Sequence, residues 1–399
     1  MSVFARVALA PSDPILGVTD AWRADPRPTK VNLGVGVYYD EQGRLTLLEA
    51  VKRAEDVLVA KHHTRGYIPI DGRPDYTRAT QNLIFGKDST LLAENRVVTA
   101  QTLGGTGALR TGADFLRSVL PDATVAISRP SWPNHQVLFA AAGFSIVEYP
   151  YYDPSSHGVD FAAMSSALAA LPPRTVVIVH ACCHNPTGAD LSPDQWRELA
   201  VLLRERELIP FVDMAYQGFD RGISEDAIGI QILLDAGIGT VVIANSYSKS
   251  FGLYGERVGA LSIVCADADE AARVRSQVKQ TIRATYSNPP THGAAVVATV
   301  LESPELSQLW ASELATMRER IKTVRQGLVD RLAAKGRPDF AFVAQQAGMF
   351  SYSGLNKAQV ARLRDEFAIY AVDSGRICVA ALNLNNLDHV ADAIIRVSA

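Results

Sequence analysis

Short apolar runs alternate with amphipathic stretches through the middle of the chain. Thr124–Ser128, Ser145–Tyr149, Thr175–Ala181, Ile209–Asp213, Thr240–Ala244 and Ala260–Cys265 are β-branched and almost wholly apolar, as strands buried on both faces are. Between them, Glu49–His62, Gly107–Val119, Asn134–Ala142, Pro193–Glu207 and Asp267–Ile282 show helical periodicity. The alternation predicts an α/β fold with a mostly parallel central sheet covered by helices on both faces. A long apolar stripe through Leu306, Leu309, Trp310, Leu314, Met317, Ile321, Val324, Leu328 and Leu332 predicts a helix over Pro304–Gly336, halted by Gly336-Arg337-Pro338. Beyond it, strands at Phe340–Val343, Gly348–Tyr352 and Ile377–Ala380 with helices at Lys357–Phe367 and Leu387–Val397 read as a smaller α+β unit. Val31–Tyr38 reads as an irregular strand whose glycines allow close backbone approach. Residues 1–20, with Asp13-Pro14-Ile15-Leu16-Gly17, read as an arm that either clasps a partner subunit or packs on its own domain. The expected layout is an arm and part of a small domain in 1–45, a large domain in 46–316 and a small C-terminal domain in 317–399. The small domain is thus made from both chain ends.

Composition narrows the class. The 399 residues are 48% hydrophobic and 20% charged, which suits a large buried core. The net charge of −3 is spread along the chain, and without a basic stripe no nucleic-acid partner is expected. No apolar run is long enough to span a bilayer, and the first residues lack the pattern of a secretory signal. The four cysteines, Cys182, Cys183, Cys265 and Cys378, suit reduced thiols in a cytoplasm.

Chemistry-bearing residues gather after the apolar runs. Thr240–Ala244 leads into Ser246-Tyr247-Ser248-Lys249, a glycine-punctuated turn and Arg257. Ligands of open α/β sheets bind at the carboxyl ends of strands. Hydroxyls with an arginine suit a phosphate. A lysine beside them suits a Schiff base with a phosphorylated aldehyde, pyridoxal phosphate. A solvated surface lysine is the alternative. Ile209–Asp213 ends in an Asp able to pair with a protonated pyridine nitrogen and is followed by Tyr216, a donor to a ring oxygen; an N-cap and a core tyrosine would look the same. After Thr175–Ala181, His184-Asn185-Pro186-Thr187-Gly188 forms a tight turn in which Asn185 either donates to a ligand or closes an Asx turn, while Asp190 or Ser192 caps the next helix. The His and Cys residues of that stretch are too closely packed in sequence to surround one metal ion. Thr102–Arg110 is a Gly-rich entry to a helix, whose free amides suit a phosphate. It matches neither the dinucleotide fingerprint nor a P-loop. Trp132 is able to stack on a ring or to pack in the core. Arg283 and Arg376 are each able to clamp a carboxylate or to stay in solvent.

In this order the motifs resemble the pyridoxal-phosphate aminotransferases of fold type I, in the subgroup of aspartate and aromatic-amino-acid aminotransferases. The resemblance runs from Asp13-Pro14-Ile15-Leu16 through Asn32–Tyr38, Ser131-Trp132-Pro133-Asn134-His135 and His184–Gly188 to Ser374-Gly375-Arg376. It implies that Lys249 anchors the cofactor and shuttles the proton, with catalytic support from Asp213, Tyr216 and Trp132. It implies a cofactor site of Gly105, Thr106, Trp132, Asn185, Asp213, Tyr216, Ser246, Ser248, Lys249 and Arg257, with Tyr67 contributed by a neighbouring subunit. His135 and His180 are expected behind the ring and Asp213. The implied substrate site holds Gly36, Trp132, Asn185, Arg376 for the α-carboxylate, and Arg283 of the neighbour for a distal carboxylate. A homodimer with shared sites follows from the same resemblance; the cysteines point to the cytoplasm, and no metal is expected.

Arg283, Asn288 and Thr106 resemble the aspartate-preferring relatives. Tyr39 and Leu45, the stretch Thr102–Gly105 and Arg206–Phe211 resemble the aromatic branch. The expected activity is transfer of the amino group from tyrosine or phenylalanine, and from aspartate or glutamate, to 2-oxoglutarate. An aspartate aminotransferase with weak aromatic activity is the alternative. A lyase of the same fold and a nucleotide-binding dehydrogenase are the more distant ones.

Overall fold

The computed structural model describes residues 2–10, 13, 15–62 and 64–398; Pro11, Ser12 and Pro14 of the expected arm, His63, and the terminal Met1 and Ala399 lie outside them. The chain divides into two compact units, one of residues 45–321 with 346–348, the other of residues 1–44, 322–345 and 349–399.

The larger unit is built on a seven-stranded sheet. Its strands in chain order are β1 (Val97–Leu103), β2 (Thr124–Arg129), β3 (Ser145–Pro150), β4 (Val176–His180), β5 (Ile209–Met214), β6 (Val241–Ser246) and β7 (Val258–Val264). In space they run β1-β7-β6-β5-β4-β2-β3. All are parallel except β7, which is antiparallel to both β1 and β6. Apolar clusters form on both faces. Val177, Val179, Val212, Met214 and Ile243 pack with Trp196, Leu199 and Leu203 on one, and Ile178, Phe211, Val242 and Ala244 pack with Leu109 and Phe115 on the other. Sheet residues with apolar neighbours on both sides explain why these strands read as continuous apolar runs.

β1 escapes a reading of periodicity because Thr99, Gln101 and Thr102 interrupt its apolar residues. Two are satisfied by distant segments and one locally: Thr99 Oγ1 bonds Ser262 Oγ at 2.9 Å, Gln101 Nε2 donates to Pro290 O at 2.6 Å, and Thr102 Oγ1 donates to Gly104 O at 3.0 Å. Helices Pro74–Phe85, Thr90–Ala93, Phe161–Ala169, Ile228–Asp235 and His292–Glu302 add to the expected set in the larger unit. The Gly-rich entry is itself the first turn of a helix, Gly104–Val119.

Where β1, β6 and β7 meet, backbones approach so closely that no side chain fits. A Cβ on Gly259 would lie 2.4 Å from Gly104 C and 2.8 Å from Asn245 O. Tyr76 Oη donates to Gly259 O at 2.7 Å from the far side. Backbone atoms on neighbouring strands cannot step aside, so Gly259→Ala is expected to destabilise the fold by about 3 kcal/mol. Thermal melts of the apo protein check this against Gly239→Ala, where a Cβ meets nothing within 4 Å.

In the smaller unit, Val31–Asn32 pairs in parallel with Ile369–Tyr370, and Phe350–Tyr352 pairs antiparallel with Arg376–Cys378. Three expectations are corrected here. Residues 16–20 are not arm: Leu16–Ala24 is a helix, whose Val18 fills the space beside Gly34, where a Cβ would lie 2.6 Å from Val18 Cγ1. The strand expected over 31–38 stops at Asn32, because Gly34 and Gly36 leave the ladder to admit Val18 and the ring of Phe350. Phe340–Val343 is not a strand but a 3₁₀ turn, Pro338–Ala341, running into a helical turn, Phe342–Gln345. Its buried residues, Phe340 and Val343, are three apart, which is a helical spacing. Arg325 Nη1 holds the Val343 carbonyl at 2.8 Å. The long helix is Pro304–Ala334 and the last one Leu387–Ser398. No helix among the described residues is long and apolar enough to cross a membrane.

Candidate active site

The carboxyl ends of β1, β2, β4, β5 and β6, with the start of β7, deliver the chemistry-bearing residues of the larger unit to one edge of the sheet. β1 hands over to Gly104, Gly105 and Thr106 at the helix start, where first-turn amides have no intrahelical acceptor. Gly104, at φ +69°, donates its N–H to Arg257 O at 2.9 Å. A Cβ on it would lie 2.6 Å from Arg257 Nη2, and one on Gly105 would lie 3.0 Å from Ser246 Cβ. The two glycines therefore let the helix start close on Ser246 and Arg257. Ser246 and Ser248 are buried, Ser248 N donates to Ser246 Oγ at 3.3 Å, and Arg257 Nη1 donates to Ser248 Oγ at 3.3 Å. Amides, two hydroxyls and a guanidinium on one small surface form an anion cradle.

Lys249 follows the second serine and holds its Nζ 5.0 Å from the centroid of the Tyr216 ring. Tyr216 itself is buried just past β5. Asp213, within β5, is 5% exposed. Its Oδ2 bonds His135 Nε2 at 2.8 Å, and His135 Nδ1 bonds Ser131 Oγ at 2.9 Å. Burial pushes the Asp213 carboxyl up, but the His135 bond and nearby positive charge outweigh it, and the group is held below the usual carboxylate range. Asp213 Oδ1 accepts no hydrogen bond among the described residues. A buried carboxylate kept ionised with one oxygen unused suits a cationic N–H partner, as a protonated pyridine offers. His180, opposite Asp213 in the β4–β5 register, has its ring 5.1 Å from that of His135, and burial pushes it down to about 3. It is a neutral wall at working pH. Trp132 meets His135 edge to face at 5.3 Å.

Asn185 is buried after β4, and its bond to Pro186 is cis. The helix that follows is capped by Ser192 in a capping box with Gln195. Asp190 is no cap: its Oδ2 accepts from Cys183 N at 2.6 Å and its Oδ1 from His184 N at 2.8 Å. Burial pushes the Asp190 carboxyl up to about 7 against the pull of those two amides. Sequence reasoning gave Asp190 only a capping role, quoted Ser131 without its bond to His135, and passed over Asp226. Asp226 is buried and accepts from the backbone amides of Gly218, Asp220, Arg221 and Gly222, just past Tyr216.

Tyr67 and Arg283 stand exposed on the larger unit, Tyr67 at 96%. Arg283 is linked to the residue after Tyr67: its Nη1 donates to Ser287 Oγ, which donates to Asn288 Oδ1 at 3.0 Å, and Asn288 Nδ2 donates to Ile68 O at 2.8 Å. In the smaller unit Arg376 is 3% exposed. Its Nη2 donates to Gly34 O, and its guanidinium lies 4.3 Å over the Phe350 ring, on which Gly36 also closes. Tyr39 lines a cavity of about 450 Å³ in the same unit with Trp22, Lys30, Asn383 and His389. Leu45, in the larger unit, is exposed.

An anion cradle, an adjacent lysine and an ionised buried carboxylate at the carboxyl edge of a mostly parallel sheet define an enzyme of the fold type I, pyridoxal-phosphate-dependent class. The family model described as aminotransferase class I and II matches residues 28–394, and the chain belongs to that family. It is 56% identical to an aspartate aminotransferase of Pseudomonas aeruginosa over 398 residues, covering all of both chains. It is 48% identical to an aromatic-amino-acid aminotransferase of Escherichia coli, over 99% of this chain and all of that one. Among solved structures, an aromatic-amino-acid aminotransferase from Burkholderia pseudomallei, described as covalently bound to pyridoxal phosphate, superposes over both whole chains with a TM-score of 0.97 at 57% identity.

Proposed function

We propose that this aminotransferase is an aromatic-amino-acid aminotransferase that also takes aspartate and glutamate, with 2-oxoglutarate as acceptor, in a two-stage cycle on pyridoxal phosphate. The observation that carries the reading is the cluster of Lys249, Tyr216 and ionised Asp213 beside the Ser246, Ser248 and Arg257 cradle. The aromatic preference is supported by the Burkholderia pseudomallei structure. The Pseudomonas aeruginosa relative favours the second reading, an aspartate aminotransferase with weak aromatic activity.

Pyridoxal phosphate, when bound, supplies an aldehyde for the amino group and a ring that takes up the electron pair of the α C–H bond. The chain's residues do the rest. Gly105, Thr106, Ser246, Ser248 and Arg257 bind the phosphate, with Tyr67 of a second copy. Asp213 holds the proton on the ring nitrogen, Trp132 stacks on the ring, and Asn185 and Tyr216 donate to the ring oxygen. Lys249 Nζ would take the α-proton and deliver it to the cofactor's former aldehyde carbon, on the other side of the amino nitrogen. Arg376, backed by Phe350 and Gly34, binds the α-carboxylate beside Gly36. Arg283 of a second copy binds a distal carboxylate, and yields to an aromatic ring; the apolar choices at Tyr39 and Leu45 favour aromatic donors. The larger unit is thus the cofactor domain of a cytoplasmic homodimer. The exposure of Tyr67 and Arg283 supports this, since it leaves both side chains open to a second copy.

A paired assay with phenylalanine or aspartate as donor tests the substrate reading. Comparable kcat/KM for the two supports it. An aspartate preference of about 1000-fold, ~4 kcal/mol of differential transition-state binding, replaces it with the second reading. Arg283→Leu is expected to lower kcat/KM for aspartate by about 100-fold, the scale of one lost charge-assisted pair, and to leave phenylalanine within about 3-fold. Steady-state rates on both donors check it.

A further inference from the structure

The turn between β4 and the helix starting at Pro193 presents Asn185, and its backbone departs from ordinary geometry just before that residue. Cys183 has φ +51°, a left-handed conformation that a residue with a side chain adopts only when its surroundings hold it there. The amides of Cys183 and His184 then point the same way, as in the nests that bind anions. The acceptor here is internal: the Asp190 carboxyl group takes one amide on each oxygen, at 2.6 and 2.8 Å. Other parts of the turn are anchored separately. His184 is held by Ser128 Oγ at 3.1 Å and Thr187 Oγ1 at 2.8 Å, and its ring stacks on Tyr151 at 4.0 Å. Gly188 N donates to His184 O at 2.7 Å. These contacts lock the His184 ring and the far side of the turn, while the approach to Asn185 from β4 depends on the two amides held by Asp190.

We propose that Asp190 is a positioning residue of the reaction: its carboxylate holds the Cys183 and His184 amides and so fixes the backbone that aims the Asn185 amide at the ring oxygen of the cofactor. This rests on the role given to Asn185 above. Asp190 touches neither substrate nor cofactor in this account. It acts because a carboxylate accepts on both oxygens, whereas a carboxamide of the same size turns a donor toward one of the two N–H groups. The resulting clash of donors is relieved by a shift of the 183–185 backbone, and the bond from Asn185 lengthens.

The test uses the holoenzyme and reads the pH at which the visible absorbance of the lysine-bound cofactor changes, together with kcat, KM and the melting temperature of the apo form. Asn185→Ala sets the scale: losing one donor to a charged oxygen is expected to raise that midpoint by about 1 pH unit. Asp190→Asn is expected to move it the same way by about half a unit, and to lower kcat about 10-fold with a smaller change in KM. Asp160→Ala removes the N-cap of helix Phe161–Ala169, where Asp160 Oδ1 accepts from Ala163 N at 3.0 Å. It is expected to lower the melting temperature and leave the midpoint in place. If Asp190→Asn fails to fold, Asp190→Ser, which frees space for water to reach both amides, carries the same readout. A midpoint unmoved in an Asp190 variant whose Asn185→Ala counterpart does shift overturns the proposal. A midpoint unmoved in Asn185→Ala overturns the role of Asn185, and the proposal with it.

Discussion

Lys249→Ala is expected to abolish turnover of either donor, with kcat lowered at least about 10⁴-fold, the upper range for loss of a positioned proton-transfer group. The lysine serves twice in the proposed cycle, as the group that bonds the cofactor and as the base that moves the α-proton. Losing it removes both the covalent link and the shuttle. The Nζ cation lies over the Tyr216 ring at 5.0 Å, a contact that contributes roughly 0.5–2 kcal/mol. The variant is therefore expected to fold, to keep phosphate affinity through Ser246, Ser248 and Arg257, and to lose the absorbance of the lysine-bound form. Single-turnover spectroscopy with phenylalanine checks this, and a variant retaining even a hundredth of the wild-type rate would assign the proton to another group.

Asp213→Asn is expected to be the next most costly change, lowering kcat about 1000-fold, or ~4 kcal/mol. The volume is conserved and the carbonyl oxygen still accepts from His135, so the loss is one of charge. Without the anion nothing favours a proton on the ring nitrogen, and the electron pair of the α C–H bond has a poorer acceptor. The same group has a pH signature. Its carboxyl is depressed in the folded chain relative to the ordinary value of 3.8. The ionised form is thus favoured by folding, and its stabilisation is complete above the unfolded value and lost as pH falls through the folded one. Urea midpoints of wild type and Asp213→Asn should differ by a constant amount from about pH 5 upward and converge at more acid pH. A difference that grew toward acid pH would mean that burial, not the His135 bond, dominates at Asp213.

The residues proposed to do the chemistry were the most legible part of the chain. Lys249, Asp213 and Asn185 each come at or within a few residues of the carboxyl end of an apolar β-branched run, and such runs identify themselves without knowledge of their neighbours. What supports those residues was less legible. Asp190 stands two residues before a good N-cap, Ser192, and local pattern gives it that same role. Its actual partners are amides upstream in the turn, reached only because Cys183 adopts a left-handed backbone. Ser131 carries no local mark of its bond to His135, and Asp226 none of its four amides.

The amino-acid sequence by itself determined the fold class, six of the seven strands of the sheet and the order of the chemistry-bearing turns, because buried parallel strands and amphipathic helices write their burial into local periodicity. Only the tertiary structure decided the rest. β1 is a strand because Ser262 and the Pro290 carbonyl satisfy its polar side chains from other segments. β7 runs against its neighbours because its amides pair with both β1 and β6. Phe342–Gln345 turns helical rather than extended with Arg325 holding the Val343 carbonyl. In each case the deciding hydrogen bond joins separate elements of the chain, and no local pattern of apolar and polar positions encodes such a bond.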